Sequence, residues 1–103
     1  MKSCITCGMP LEGAHAGDMG FESPDGPVCK FDSVEGQIKP AEEIFEGGVL
    51  FFLDAVAGGD RSLAERLTRK NMSELPYWQA HHFAELDGEQ ATDEEFAVSM
   101  AKL

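Results

Sequence analysis

The chain changes texture near residue 40. Beyond it, apolar residues recur at helical spacing: Ala41, Ile44, Phe45, Gly48, Val49, Phe52 and Val56 fall on one side of a 3.6-residue repeat. Pro40 suits the start of a helix, Glu42 and Glu43 stand near the positive end of its dipole, and Gly58-Gly59 ends it. Asp60 then caps a second helix through about Asn71. Leu63, Ala64 and Leu67 share one face of that helix, and Glu65 and Arg69 are spaced as an i,i+4 ion pair. Short connections favour antiparallel neighbours. Pro76 breaks the chain, residues 77–86 read as a third helix, and Thr92-Asp93-Glu94-Glu95 spells a capping box before a short final helix carrying Phe96 and Met100.

Residues 1–38 show neither the helical nor the alternating period. They hold Gly8, Gly13, Gly17, Gly20, Gly26 and Gly36, prolines 10, 24 and 27, and every cysteine of the chain. Such a stretch lacks the apolar area to offset the ordering of its own backbone, so it needs a staple. The expected architecture is therefore α+β: a small N-terminal zinc ribbon of hairpins and knuckles (1–38) packed on a C-terminal region of three or four short helices (39–103) as one unit. A length of 103 residues fits one domain and leaves no room for two independent cores.

Charge narrows the partners. Nineteen acidic against eight basic residues give a formal net charge of −11. Lys30, Lys39, Arg61, Arg66, Arg69 and Lys70 are spread among acids, so phosphate backbones are repelled and direct nucleic-acid binding is disfavoured. The most apolar run, Val49-Leu50-Phe51-Phe52-Leu53, is far too short to cross a membrane, and the start MKSCITCGMP has no signal-peptide core. A cytoplasmic location is expected, where closely spaced cysteines read as metal ligands before disulfides.

Candidate chemistry follows from that. Cys4 and Cys7 at x2 spacing can reach one tetrahedral ion, and Gly8 allows the tight turn between them. Cys29 follows after 21 residues, with Asp32 three beyond it, so the pattern is C-x2-C-x21-C-x2-D. Asp32 takes the place of a fourth thiolate; its carboxylate is an accepted zinc ligand, harder than sulfur and a weaker donor. His15 ranks second as fourth ligand, ahead of His81, His82 or water. The competing reading of the cysteines is a redox pair, or a metal- and redox-responsive thiol site that releases zinc on oxidation. The same thiolates also accept iron. No H-E-x-x-H, G-x-S-x-G, P-loop, dinucleotide or deaminase pattern occurs, so no enzymatic activity is expected.

The opening Cys4-Ile5-Thr6-Cys7-Gly8-Met9-Pro10-Leu11, C-x-x-C-G-M-P-L, resembles the signature of a zinc-ribbon family of small prokaryotic proteins. That family runs through a Gly-rich loop to a second C-x-x-C, a glycine and two helices. Gly20, Asp25-Gly26, Cys29, Asp32 and Gly36 occupy the same order here, and residues 40–78 are similar to the helical part. Asp32 departs from the family pattern, and residues 79–103 lie beyond it. The resemblance implies Zn²⁺ held by Cys4, Cys7 and Cys29, a ribbon packed on helices, and no known activity. The function then expected is an adaptor for an unknown protein partner. Its candidate contact elements are the apolar helix at 44–56 and the Tyr77-Trp78 pair, if exposed.

Overall fold

A computed structural model describes residues 2–103. Its N-terminal part is built from short pairings that need little sequence to form. Ser3 bridges Pro10, with Cys4 N–H donating to the Met9 carbonyl at 2.9 Å and Leu11 N–H to the Lys2 carbonyl at 2.9 Å. A 3₁₀ turn at Gly13–Asp18 leads into β1 (Met19–Ser23), which pairs antiparallel with β2 (Gly26–Cys29), placing Phe21 opposite Val28. The register shifts between Met19 and Phe21, and at that irregularity a Cβ on Gly20 would run into Ser33 Oγ and the Cys29 carbonyl. A second hairpin pairs β3 (Ser33–Val34) with β4 (Gln37–Ile38). Its two turn residues, Glu35 and Gly36, have φ of 51° and 74°, the paired left-handed values of a type I′ turn.

The helical part follows the apolar periodicity. α1 (Ala41–Ala55) starts directly after Pro40, whose carbonyl accepts from the N–H groups of Glu43 and Ile44. It buries Ile44, Phe45, Val49 and Phe52, and the chain leaves it through Gly58 and Gly59 at φ of 58° and 91°. α2 (Arg61–Ser73) is capped by the Asp60 carboxylate, which accepts from Leu63 N–H at 3.2 Å. Ala64, Leu67, Thr68 and Met72 are its buried face. Thr68 returns its hydroxyl to the Ala64 carbonyl at 2.8 Å, so its polar atom is satisfied inside the core. The Gly48 backbone lies against the Thr68 side chain, with no room there for a Cβ.

Two expectations for this part are corrected. The segment 77–86 is not one helix: α3 (Pro76–Ala80) stops at His81, and a 3₁₀ turn at Ala84–Asp87 follows. Its aromatics are drawn into packing that a straight helix could not provide, with Trp78 and Phe83 rings 5.1 Å apart and Phe45 and Phe83 rings 6.5 Å apart. Arg69 does not pair with Glu65. Its guanidinium covers the Phe45 ring at 5.6 Å and donates to the carbonyls of Glu85 (2.8 Å) and Glu89 (3.2 Å), organising the loop before the last helix. Glu65 pairs instead with Arg61, which also reaches Glu46. The final helix α4 (Asp93–Met100) starts on the expected capping box, with Thr92 and Glu95 exchanging both hydrogen bonds.

Two buried clusters result. One, spanning α1 to the last loop, contains Ile44, Phe45, Val49, Phe52, Val56, Ala64, Leu67, Met72, Trp78, Leu86 and Ala91. The other holds only Cys4, Leu11, Val28 and Cys29, and Ile38 packs against both. The protein is thus α+β, with two small antiparallel hairpins ahead of the helices. No helix among the described residues is long and apolar enough to cross a membrane.

Candidate metal centre

Each of the two C-x2-type turns folds by local rules. In the first, Gly8 N–H donates to the Cys4 carbonyl at 2.8 Å and Gly8 sits at φ 80°, a conformation that favours glycine. In the second, Asp32 N–H donates to the Cys29 carbonyl at 3.2 Å, and Ser33 Oγ donates to the same carbonyl at 2.9 Å. The second turn therefore closes without a glycine, through a serine hydroxyl. Lys39 N–H, donating to the Asp32 carbonyl at 2.9 Å, ties that turn to the strand β4 side. Ile5 N–H, donating to the Pro27 carbonyl at 3.0 Å, sets the first turn against β2.

These turns bring Cys4, Cys7, Cys29 and Asp32 together, with one ligand atom from each lying within 4.8 Å of all the others. Cys4, Cys29 and Asp32 are buried and Cys7 is half-buried. The Cys7 and Cys29 sulfurs are 3.7 Å apart, and all three cysteines are free. A tetrahedral ion with metal–sulfur bonds of about 2.3 Å separates its ligands by about 3.8 Å, so the sulfurs already stand near a coordination edge. Cys29 N–H points at Cys4 Sγ from 3.3 Å, a backbone donor aimed at a ligand sulfur.

The electrostatics of the donor set also fit a cation. Donated hydrogen bonds from the neighbouring thiols hold Cys4 far below the usual thiol range. The same contacts, with burial added, hold Cys7 far above it and push Cys29 up to about 12. Burial raises the Asp32 carboxyl, against the hydrogen bond from Thr6. Left to itself, the cluster resists taking on further negative charge. A divalent cation removes that conflict by replacing the protons. The residues therefore fit a thiophilic metal ion.

His15 lies outside the cluster. It is exposed in the 3₁₀ turn, its Nδ1 3.2 Å from Asp18 Oδ2. His81 stacks on Tyr77 with ring centroids 4.4 Å apart, and His82 Nε2 meets Asp87 Oδ1 at 2.8 Å. Neither joins the ligand set. Trp78 is 3% exposed, so it faces inward and offers no outward contact; Tyr77 beside it is half-buried.

Sequence reasoning missed Thr6 and Asn71. Thr6 is fully buried between the two cysteines of the first turn, its hydroxyl donating to Asp32 Oδ2 at 2.7 Å and lying 3.0 Å from Cys4 Sγ. Its carbonyl accepts from Trp78 Nε1 at 2.9 Å, and the next carbonyl, of Cys7, accepts from Asn71 Nδ2 at 3.0 Å. The helices thus grip the ligand-bearing turn by two consecutive carbonyls. A threonine inside C-x-x-C was the available signal, but spacing alone does not say which way its hydroxyl turns. Comparison with protein-family models, with curated proteins and with solved structures finds no match to this chain.

Proposed function

We propose that Cys4, Cys7, Cys29 and Asp32 hold one Zn²⁺ whose task is to fold the N-terminal segment onto the helices, and that the protein serves as an interaction adaptor. The observation that carries this reading is the convergence of three sulfurs and a carboxylate in a segment with almost no apolar core of its own. Zinc suits the donor set, since three thiolates and one carboxylate complete a tetrahedral shell. Four protein donors leave no open position for a substrate, which favours a structural over a catalytic ion. The C-x-x-C-G-M-P-L opening supports kinship with the zinc-ribbon family, with Asp32 as the variant ligand.

The contact surface in this reading is the outward side of α1. Leu50 and Phe51 are 52% and 54% exposed there, with the exposed acids Glu43 and Asp54 on the same helix side as Leu50. An apolar patch set among acids suits a partner whose apolar face carries cations. Native mass spectrometry of wild type and Asp32→Ala, beside thermal unfolding with and without chelator, tests the metal. One zinc per chain in wild type, lost or loosened in the variant, is expected. Absence of metal from wild type refutes the reading, and full retention by Asp32→Ala refutes Asp32 as a ligand.

A further inference from the structure

Asp32 is pinned at its backbone from two sides, through its N–H to Cys29 and its carbonyl to Lys39. What remains free is rotation of the carboxylate about its side-chain bonds. That rotation decides whether a metal meets one oxygen or is chelated by both. The hydroxyl of the wholly buried Thr6 holds Oδ2 at 2.7 Å from within the first turn. Thr6 itself has no exposure, and its backbone is fixed by Trp78 at its own carbonyl and by Asn71 at the next. The hydroxyl has a single hydrogen, and the shorter of its two contacts is the one to the carboxylate, at 2.7 Å against 3.0 Å to Cys4 Sγ.

We propose that Thr6 is a positioning residue that holds Asp32 as a one-oxygen ligand, so that the centre selects thiophilic ions content with four donors. This rests on the reading of the cluster as a metal site. Three sulfurs and one oxygen make a tetrahedral set, whereas a chelating carboxylate raises the coordination number to five. Four-coordination suits Zn²⁺ and Co²⁺, and coordination geometry is diagnostic for such ions. The device is built into the fold and not into the ligand spacing: the hydroxyl comes from one knuckle, the carboxylate from the other, and the brace from α2 and α3.

Cobalt provides the test, because its visible d–d bands are intense in four-coordinate sites and weak at higher coordination numbers. Wild type, Thr6→Val and Thr6→Ser are titrated with Co²⁺, and Zn²⁺ affinity is read by competition. Intense bands are expected in wild type. Thr6→Val, which keeps the side-chain shape and removes the hydroxyl, should show weakened bands and a 10- to 100-fold loss of affinity, roughly the effect of deleting an outer-sphere partner. Thr6→Ser should restore both. Should valine not be accommodated, Thr6→Ala reads the same quantities. Unchanged bands in Thr6→Val overturn the proposal even if affinity falls, because support of the fold alone would produce that result. Wild type without cobalt bands overturns the metal reading as well, which separates the two failures.

Discussion

The two parts of the molecule reach order by opposite routes. The helical part buries eleven core residues from α1 to Ala91, among them Leu67, Val49 and Ala64 with no exposure at all. The N-terminal part has four buried residues in its cluster, and two of those are cysteines of the candidate metal centre. Burying aliphatic and aromatic side chains stabilises the first by ordinary transfer free energy. The second has strands of two to five residues, turns at positive φ, and three sulfurs and a carboxylate facing one another. An isolated hairpin of that size is marginal in water. The lesson is that the same chain contains a region ordered by burial and a region whose order, in the function proposed above, depends on a cation.

The largest effect that would break this comparison is metal removal. Site assembly contributes on the order of 10 kcal/mol in small zinc modules at neutral pH, far more than the N-terminal core can replace. Hydrogen exchange with chelator should strip protection from residues 2–38 and leave α1 and α2 protected. Equal loss along the whole chain would show that the helices also depend on the centre.

A smaller effect sharpens the role of Asp32. In the metal-free protein, burial raises its pKa above the unfolded value. A raised carboxyl pKa contributes stability that is fully present below the unfolded value and is lost as pH rises through the folded one. Among metal-free molecules, the fraction whose N-terminal segment is seated should therefore fall in wild type relative to Asp32→Asn as pH is raised from about 4 towards 7. With zinc the order reverses, because the variant lacks an anionic ligand. Hydrogen exchange of residues 2–38 in the four samples, compared at each pH, checks both signs, and a gap that does not change with pH removes Asp32 as the group opposing the seated segment.

The smallest effect on stability concerns α1. Phe51→Ser should change stability by less than about 1 kcal/mol, as at other exposed positions. A cationic amphipathic peptide titrated onto the zinc-loaded protein should bind wild type and lose that binding in Phe51→Ser. Equal binding by both proteins removes this face from the adaptor reading.

How much of this was legible beforehand differs between the two parts. Asp60 and the Thr92-to-Glu95 box could be read because capping is decided within four residues. The meeting of Cys4, Cys7, Cys29 and Asp32 could be read because two x2 spacings each fix a turn, and a shared ion would require the turns to meet. The end of α3 could not, since the chain turns there to set Phe83 against Trp78 and against Phe45, which comes from α1 far away in the sequence. Arg69 escaped for the same reason: a helix-surface rule assigned it to Glu65, while packing on the Phe45 ring carries its guanidinium to the loop carbonyls of Glu85 and Glu89. Thr6 was missed because its partners lie 26 and 72 residues away.

Trp78 gives the hydrogen bond to Thr6 one more consequence. It is the sole tryptophan of the chain, its indole ring is buried, and its N–H is engaged 2.9 Å from the ligand-bearing turn. Indole emission shifts to longer wavelength when the ring becomes wet and its N–H is released. The protein therefore carries a built-in optical gauge, in which the colour of its own fluorescence records whether the N-terminal turn is seated on the helices.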